Sequence, residues 1–292
     1  MKRAARIGFV GAGKVAQTLA AAFTQTGWTV VAASSRSAAN LTSIVERCPD
    51  TRASRVAQDV VDASTLVFLT VPDDDIARVC ESLIWRHGVA AVHCSGATEL
   101  AALGSAANGG AAVGGFHPLQ MFTNPEVALH SLAGCTIGIE APSPLRELLE
   151  SMARDVGCKT FVLPPGTRAL YHASASYVGP FFIALLREAT QLWEQFGADE
   201  RQALDALVPL LQGTVAAVMD GGLARGMGGC IARGDIGTVR RHLAALDATN
   251  PQCGLLYREL ALRNVPLALA RGSLSPERAQ AISSLLVAPV EL

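Results

Sequence analysis

The first half of the chain alternates between two hydrophobic patterns. Short continuous apolar runs stop at a glycine, a proline or a polar cluster, and between them lie longer stretches with apolar residues at helical spacing. A buried parallel strand produces the first pattern and an amphipathic helix the second. Strands are therefore expected at Arg6–Val10, Trp28–Ser34, Thr65–Val71, Ala90–Cys94 and Ala112–Phe116, with an extra one at Thr136–Ile139. Helices are expected at Val15–Gln25, closed by Gly27, and at Ser37–Cys48. Such alternation predicts a doubly wound parallel sheet with helices on both faces.

The pattern changes at Leu163-Pro164-Pro165-Gly166, beyond which only helical segments follow. Gly179-Pro180 opens a long helix through Phe196. Asp199 and Gln202 form a capping box, Asp235 caps Ile236–Leu246, and Asn250-Pro251 and Ser275-Pro276 start the last two helices. Pro209 is expected to kink or divide the helix Ala203–Met219. The implied organisation is an α/β domain at 1–164 followed by an all-α C-terminal domain at 165–292.

Composition narrows the function classes. Half of the residues are hydrophobic and 17% are charged, which is a globular composition, and the net charge of −1 gives no reason to expect a nucleic-acid or membrane partner. The seven cysteines are Cys48, Cys80, Cys94, Cys135, Cys158, Cys230 and Cys253, and no two have metal or redox spacing. An odd, scattered set fits small core residues in a reducing cytosol, so no metal is expected and a cytoplasmic location is. Met1-Lys2-Arg3 before an apolar run imitates a signal peptide, but glycines break that run and Lys14 ends it. The apolar stretch Ala173–Leu186 is interrupted by Gly179-Pro180 and is too short to span a bilayer, so a soluble protein is expected.

Gly11-Ala12-Gly13-Lys14-Val15-Ala16 matches G-x-G-x-x-G/A with a strand before it and a helix after it. Gly11 permits the tight turn, Gly13 lets the backbone approach a pyrophosphate, and Ala16 lets helix and strand pack closely. The helix N-terminus adds unpaired N–H groups and the positive dipole end. The fold class is thus an α/β Rossmann doubly wound parallel sheet followed by an all-α C-terminal domain, and the expected cofactor is a nicotinamide dinucleotide. The second strand ends in Ser34-Ser35-Arg36-Ser37, with no carboxylate until Glu46. A carboxylate there would accept from the ribose hydroxyls of NAD, whereas Arg36 and the serines can bind a 2′-phosphate. NADP is therefore expected over NAD.

Three polar segments follow later strands, at the end of the sheet where ligands bind in this fold. In Thr70-Val71-Pro72-Asp73-Asp74-Asp75, Val71 and Pro72 turn the chain beneath the cofactor, and the acidic triplet starts a helix. The second segment is His93-Cys94-Ser95-Gly96-Ala97, and the third is Gly114-Gly115-Phe116-His117-Pro118. A histidine after two glycines and before a proline is expected in a fixed, exposed turn, where it either braces the turn or transfers a proton. Ser95 is its expected neighbour, able to polarise a substrate oxygen or orient the imidazole.

These segments carry a resemblance. GAGKVA at the start, the SGA at 95–97, FHPLQMF at 116–122, YHASA at 171–175 and IARGDIGTVRRHL at 231–243 resemble an uncharacterised Rossmann-plus-helical family of NADP oxidoreductases. That family belongs to the 6-phosphogluconate-dehydrogenase-like superfamily and is related to pyrroline-5-carboxylate reductase and prephenate dehydrogenase. The GGFHP segment is similar to the catalytic-histidine turn of prephenate dehydrogenases, which implies His117 as the acid/base group. Hydroxyacid dehydrogenases of the superfamily use a lysine on the first long interdomain helix. Here that region reads Tyr171-His172-Ala173-Ser174-Ala175-Ser176, which makes His172 a second proton-transfer candidate. Arg233 is expected to reach an anionic substrate or to pair with Asp235. The resemblance implies an oxidoreductase transferring hydride to or from a small polar substrate, carboxylated ones foremost, in a cleft between the domains, and a homodimer through the helical domain. The open alternative is a non-catalytic NADP-binding sensor or interaction protein.

Overall fold

The computed structural model describes residues 5–288, so Met1-Lys2-Arg3 lies outside the described residues. Two compact units divide between Phe182 and Ile183, beyond the turn at Leu163–Gly166. The first unit runs β1 (Arg6–Val10), α1 (Lys14–Gln25), β2 (Thr29–Ser34), α2 (Ala38–Arg47), β3 (Arg52–Ser54), α3 (Ala57–Ala63), β4 (Leu66–Leu69) and α4 (Ile76–Glu81). It continues through β5 (Ala90–His93), α5 (Gly104–Asn108), β6 (Ala112–Pro118), α6 (Pro125–His130), β7 (Thr136–Glu140), α7 (Leu145–Asp155), β8 (Lys159–Val162) and α8 (Arg168–Val178).

Eight strands form one sheet in the order β3-β2-β1-β4-β5-β6-β7-β8. Every pairing is parallel except β6 with β7. The sheet is thus parallel as expected save at one seam, where a connection holding only the six-residue α6 brings the chain back antiparallel without a crossover. The same pairing corrects a second expectation. His117 does not leave the strand into an exposed turn; it lies half-buried within β6, paired with Gly138 of β7. The short strands β3 and β8 were not expected, since each is largely exposed and carries no apolar alternation.

Alternate residues of the central strands sink into opposite faces of the sheet. Ile7, Phe9, Phe68, Val92 and Phe116 meet Phe23 of α1 and Leu149 and Met152 of α7. Val67, Leu69 and Ala91 meet Val60 of α3 and Ile76 and Cys80 of α4. Phe68 stacks on Phe9 at 5.3 Å and meets Phe116 edge-on at 5.6 Å. Burying each such ring contributes about 2–3 kcal/mol, so this cluster anchors the strands that carry the loops described below.

The second unit contains most of α9 (Pro180–Glu194), with α10 (Glu200–Gly226), α11 (Gly229–Arg233), α12 (Ile236–Thr249), α13 (Pro251–Arg271) and α14 (Pro276–Val287). Its caps follow the sequence signals: Asp199 and Gln202 form the capping box, and Asp235, Asn250 and Ser275 each accept a first-turn N–H. Pro209 lies inside α10, but the backbone leaves helical geometry at Gly222 (φ 74°, ψ 175°). Only glycine adopts that conformation without strain, so the break falls there and not at the proline. Val239, Leu243, Val265, Ala268 and Ile282 form this unit's core, and Arg258 clamps Asp247 through two bonds of 2.8 and 2.7 Å.

Two helical stretches, Arg168–Glu194 and Glu200–Gly226, are long and apolar enough to cross a membrane by length and composition alone. The expectation drawn from Ala173–Leu186 missed this length, because helical structure resumes at Pro180 directly after Gly179.

Candidate functional site

Strands β1, β4, β5 and β6 are adjacent and parallel, so the loops that follow them share one edge of the sheet. Gly11 turns the chain after β1 with φ +98°, and a Cβ there would stand 2.6 Å from the Thr70 carbonyl oxygen after β4. Thr70 Oγ1 donates to Gly11 O at 2.6 Å and ties the two loops together. Gly13 starts α1 with no capping side chain, and no acidic residue occupies the first turn. The N–H groups of that turn therefore face an open space in which a Cβ on Gly13 would meet nothing within 4 Å. Ala16 is fully buried between helix and sheet, Val15 is half-buried, and Lys14 is exposed on the helix.

A cleft of about 530 Å³ opens here, lined by Gly11, Ala12, Gly13, the Ser34–Ser37 turn, Val71 and Pro72. Arg36 stands in it with Arg55 and Arg78, two cations that the sequence pattern did not single out. One carboxylate, Asp75, also lines the cleft. Its bond to Arg78 at 2.5 Å holds its carboxyl below the usual range, with burial opposing and the charges of Arg78 and Arg36 assisting. Ser37 caps α2 by accepting from Asn40 N, and Ser35 Oγ accepts from Ser37 N. Backbone N–H groups at one end and arginines at the other suit a pyrophosphate together with a further phosphate.

Further along the same edge stand two imidazoles. His117 of β6 and His172 of α8 have ring centroids 5.5 Å apart at 80°. Gly96 lies against both: a Cβ there would sit 2.9 Å from His117 Cε1 and Nε2 and closer still to His172 Cδ2. Tyr171 places its hydroxyl 3.0 Å from His117 Nδ1. Burial pushes His117 down to about 4, helped by the charges of His172 and Arg168, so the ring is neutral at pH 7. Burial pushes the Tyr171 phenol up to about 12. Ser95 is buried and differently engaged from the expected role. Its Oγ donates to Asp73 Oδ2 (2.6 Å), stands 2.8 Å from Thr98 Oγ1 and accepts from Ala97 N and Thr98 N. Its hydroxyl pins the turn that carries Gly96, and no bond to His117 is formed among the described residues.

Arg168, absent from the sequence-based candidates, is fully buried at the start of α8. Its Nε donates to Glu140 Oε2 at 2.5 Å and its Nη1 to Ser95 O at 2.9 Å. Its side chain fills the space that a Cβ on Gly115 would need, while Glu99 accepts from Gly166 N and Arg168 N. Together these bonds seat α8, with Tyr171 and His172, over β6 and the Ser95 turn. His93 pairs in register with Gly115 on the neighbouring strand. Neither His93 ring nitrogen nor Arg168 Nη2 has a hydrogen-bond partner among the described residues. Burial, with the charges of Arg168 and His117, holds His93 near 3 and so neutral. A signal for this network existed: Glu140 ends an apolar strand and Arg168 opens an apolar helix, and a charge inside such a run needs a partner. In the second unit Arg233 is exposed, and Asp235 is bonded to Thr238 N and Oγ1.

Two family models match the chain: a Rossmann-like domain over residues 2–118 and the domain of unknown function DUF2520 over residues 135–264. No curated protein matches. Among solved structures, a Thermotoga maritima protein is 20% identical, with 91% of this chain and 99% of that one covered at a TM-score of 0.73. A Coxiella burnetii pyrroline-5-carboxylate reductase is 18% identical, covering 96% and 99% at 0.60. An Aspergillus terreus reductive aminase, solved with NADPH and ethyl-5-oxohexanoate, is 16% identical, covering 97% and 93% at 0.61. At these identities the likeness concerns the fold. The chain joins a Rossmann-like domain to a DUF2520 domain.

Proposed function

We propose that this chain is an NADP-dependent oxidoreductase acting on a small polar substrate, carboxylated substrates being the first class to try. One observation carries the reading: a glycine loop, an arginine-and-serine lip and a pair of imidazoles stand on one edge of adjacent parallel strands. In this reading the Gly11–Ala16 loop and the first turn of α1 hold the pyrophosphate. Ser34, Ser35, Arg36 and Ser37, joined by Arg55, hold the 2′-phosphate, and Val71 and Pro72 flank the remainder. A nicotinamide bound there supplies or accepts a hydride. His117, with His172 beside it, holds or moves the proton that the reacting oxygen or nitrogen gains or loses. Ser95 acts through the turn it pins.

The test has two arms. Arg36→Ala is expected to weaken NADPH about 10–100-fold while sparing NADH, the range for a charge-assisted bond. Equal affinity of the unaltered protein for NADPH and NADH would remove the NADP assignment. NADPH oxidation is then screened against imines, 2-oxo acids and cyclohexadienols. His117→Ala should lower turnover about 10²–10⁴-fold with NADPH binding intact. Tight NADPH binding without turnover of any panel member would favour the sensor reading instead.

A second copy of this chain is the proposed partner, and the cytosol, given the seven free thiols, is the proposed location. α9 and α10 leave Ile183, Leu210, Val215, Met219 and Leu223 exposed, an apolar set suited to a second copy of the same helices. A bilayer suits it less, since α10 carries Asp205, Asp220 and Arg225 and is broken at Gly222.

A further inference from the structure

The Tyr171 hydroxyl is the one polar side-chain group bonded to the His117 ring among the described residues, and the direction of that bond decides what the ring can do. We infer that Tyr171 is the positioning residue that makes His117 a proton donor: its O–H donates to Nδ1, so the ring hydrogen sits on Nε2, the edge that faces Gly96 and His172. This rests on the oxidoreductase reading only for its catalytic consequence; the tautomer itself stands on geometry.

Three observations support the direction. The 3.0 Å bond joins a phenol, a good donor and poor acceptor, to an imidazole nitrogen, the better acceptor of the two. The His117 ring is neutral, so one nitrogen has a lone pair to offer. Tyr171 is also held in place, because its hydroxyl rests where Gly138 lacks a side chain: a Cβ there would stand 2.8 Å from the oxygen. Gly138 is paired with His117 across β6 and β7, so the antiparallel seam itself brings hydroxyl and imidazole together. The other titratable or charged groups acting on the ring are Arg168 and His172 from α8 and His93 from β5.

A neutral imidazole that gives up its Nε2 proton alone would become an imidazolate, a much stronger base than a phenolate. With Tyr171 in place, the reacting heteroatom takes the Nε2 proton, the phenol proton moves to Nδ1, and water reprotonates the half-buried phenolate. One proton passes from solvent to substrate and the side chains return to their starting state.

The deciding measurement is nitrogen NMR of the full chain with labelled histidine, the His117 signals being identified by their loss in His117→Gln. At pH 7 the wild type should show a protonated Nε2 and a bare Nδ1 at His117. Tyr171→Phe should convert this to a mixture of tautomers while the His117 ring stays neutral, because burial, His172 and Arg168 still hold its pKa down, with thermal unfolding checked to show that the variant folds. For any substrate found, the same variant should lose about tenfold or more in kcat with NADPH affinity unchanged. A wild-type His117 protonated on Nδ1, or a tautomer indifferent to Tyr171→Phe, overturns the inference whether or not activity is found. The predicted tautomer in a protein that binds NADPH tightly but turns over no panel member overturns the oxidoreductase reading and leaves the assignment of Tyr171 intact.

Discussion

Phe68 in the sheet and Met219 in α10 both sit in strongly apolar stretches, yet Phe68 is 0% exposed and Met219 81%. In the first unit the apolar runs of the central strands find partners within the same unit, burying alternate residues against helices on either face, while α8 leaves Leu170, Tyr177 and Val178 exposed. In the second unit a core of small and aliphatic residues forms beneath α12, α13 and α14, while the apolar side of α10 stays uncovered. Apolar sequence therefore reports burial in the sheet of the first unit and an unmet demand for burial in α10 of the second.

The contrast can be broken or sharpened by substitution. Phe68→Ala should cost about 3–5 kcal/mol in denaturant unfolding, because neighbouring rings cannot close the cavity. A loss under 1 kcal/mol would mean that the aromatic cluster does not anchor the sheet. Arg168→Ala should cost a comparable ~3–5 kcal/mol by stranding Glu140 in the interior, whereas Arg168→Met with Glu140→Gln should recover much of it. Acid should strike the first unit selectively. His93 and His117 are held near 3 and 4, below the ordinary histidine value of about 6.5, so the unfolded chain takes up these protons first. Their contribution is complete above about pH 6.5 and is lost as pH falls towards 4 and 3; a stability curve flat from pH 7 to 4 would contradict it. Asp199→Ala, which removes the capping box of α10, should cost ~1 kcal/mol. Smallest for the folding of a single chain is Met219→Asp, expected within about 0.5 kcal/mol because the site is open. Its effect should appear in sedimentation as weakened self-association, and an unchanged oligomeric state would argue against α10 as the contact face.

Much of the architecture was legible. Gly11 to Ala16 between a strand and a helix, the Ser34–Ser37 turn and the four helix caps were all read from local spacing, and local spacing is what the physics of caps and tight turns depends on. Legibility stopped where a contact spans the chain. The antiparallel return of β7 moved His117 from an expected turn into a strand. Asp73, remote from Ser95 in sequence, takes up its hydroxyl, and Tyr171 rather than Ser95 meets His117. Cys135 and Cys158, unremarkable in spacing, come within 3.6 Å because β7 and β8 pair in register.

By itself the sequence determined the alternation of strand and helix, the phosphate-type loop and the places where helices begin, since these follow from periodicity, glycine geometry and capping groups a few residues apart. Only the tertiary structure decided which charges are buried together, which hydroxyl reaches which imidazole and which apolar face is left open. Those outcomes depend on strand order and on α8 settling over Gly115 and Gly138, where the absence of two side chains leaves room for Arg168 and Tyr171.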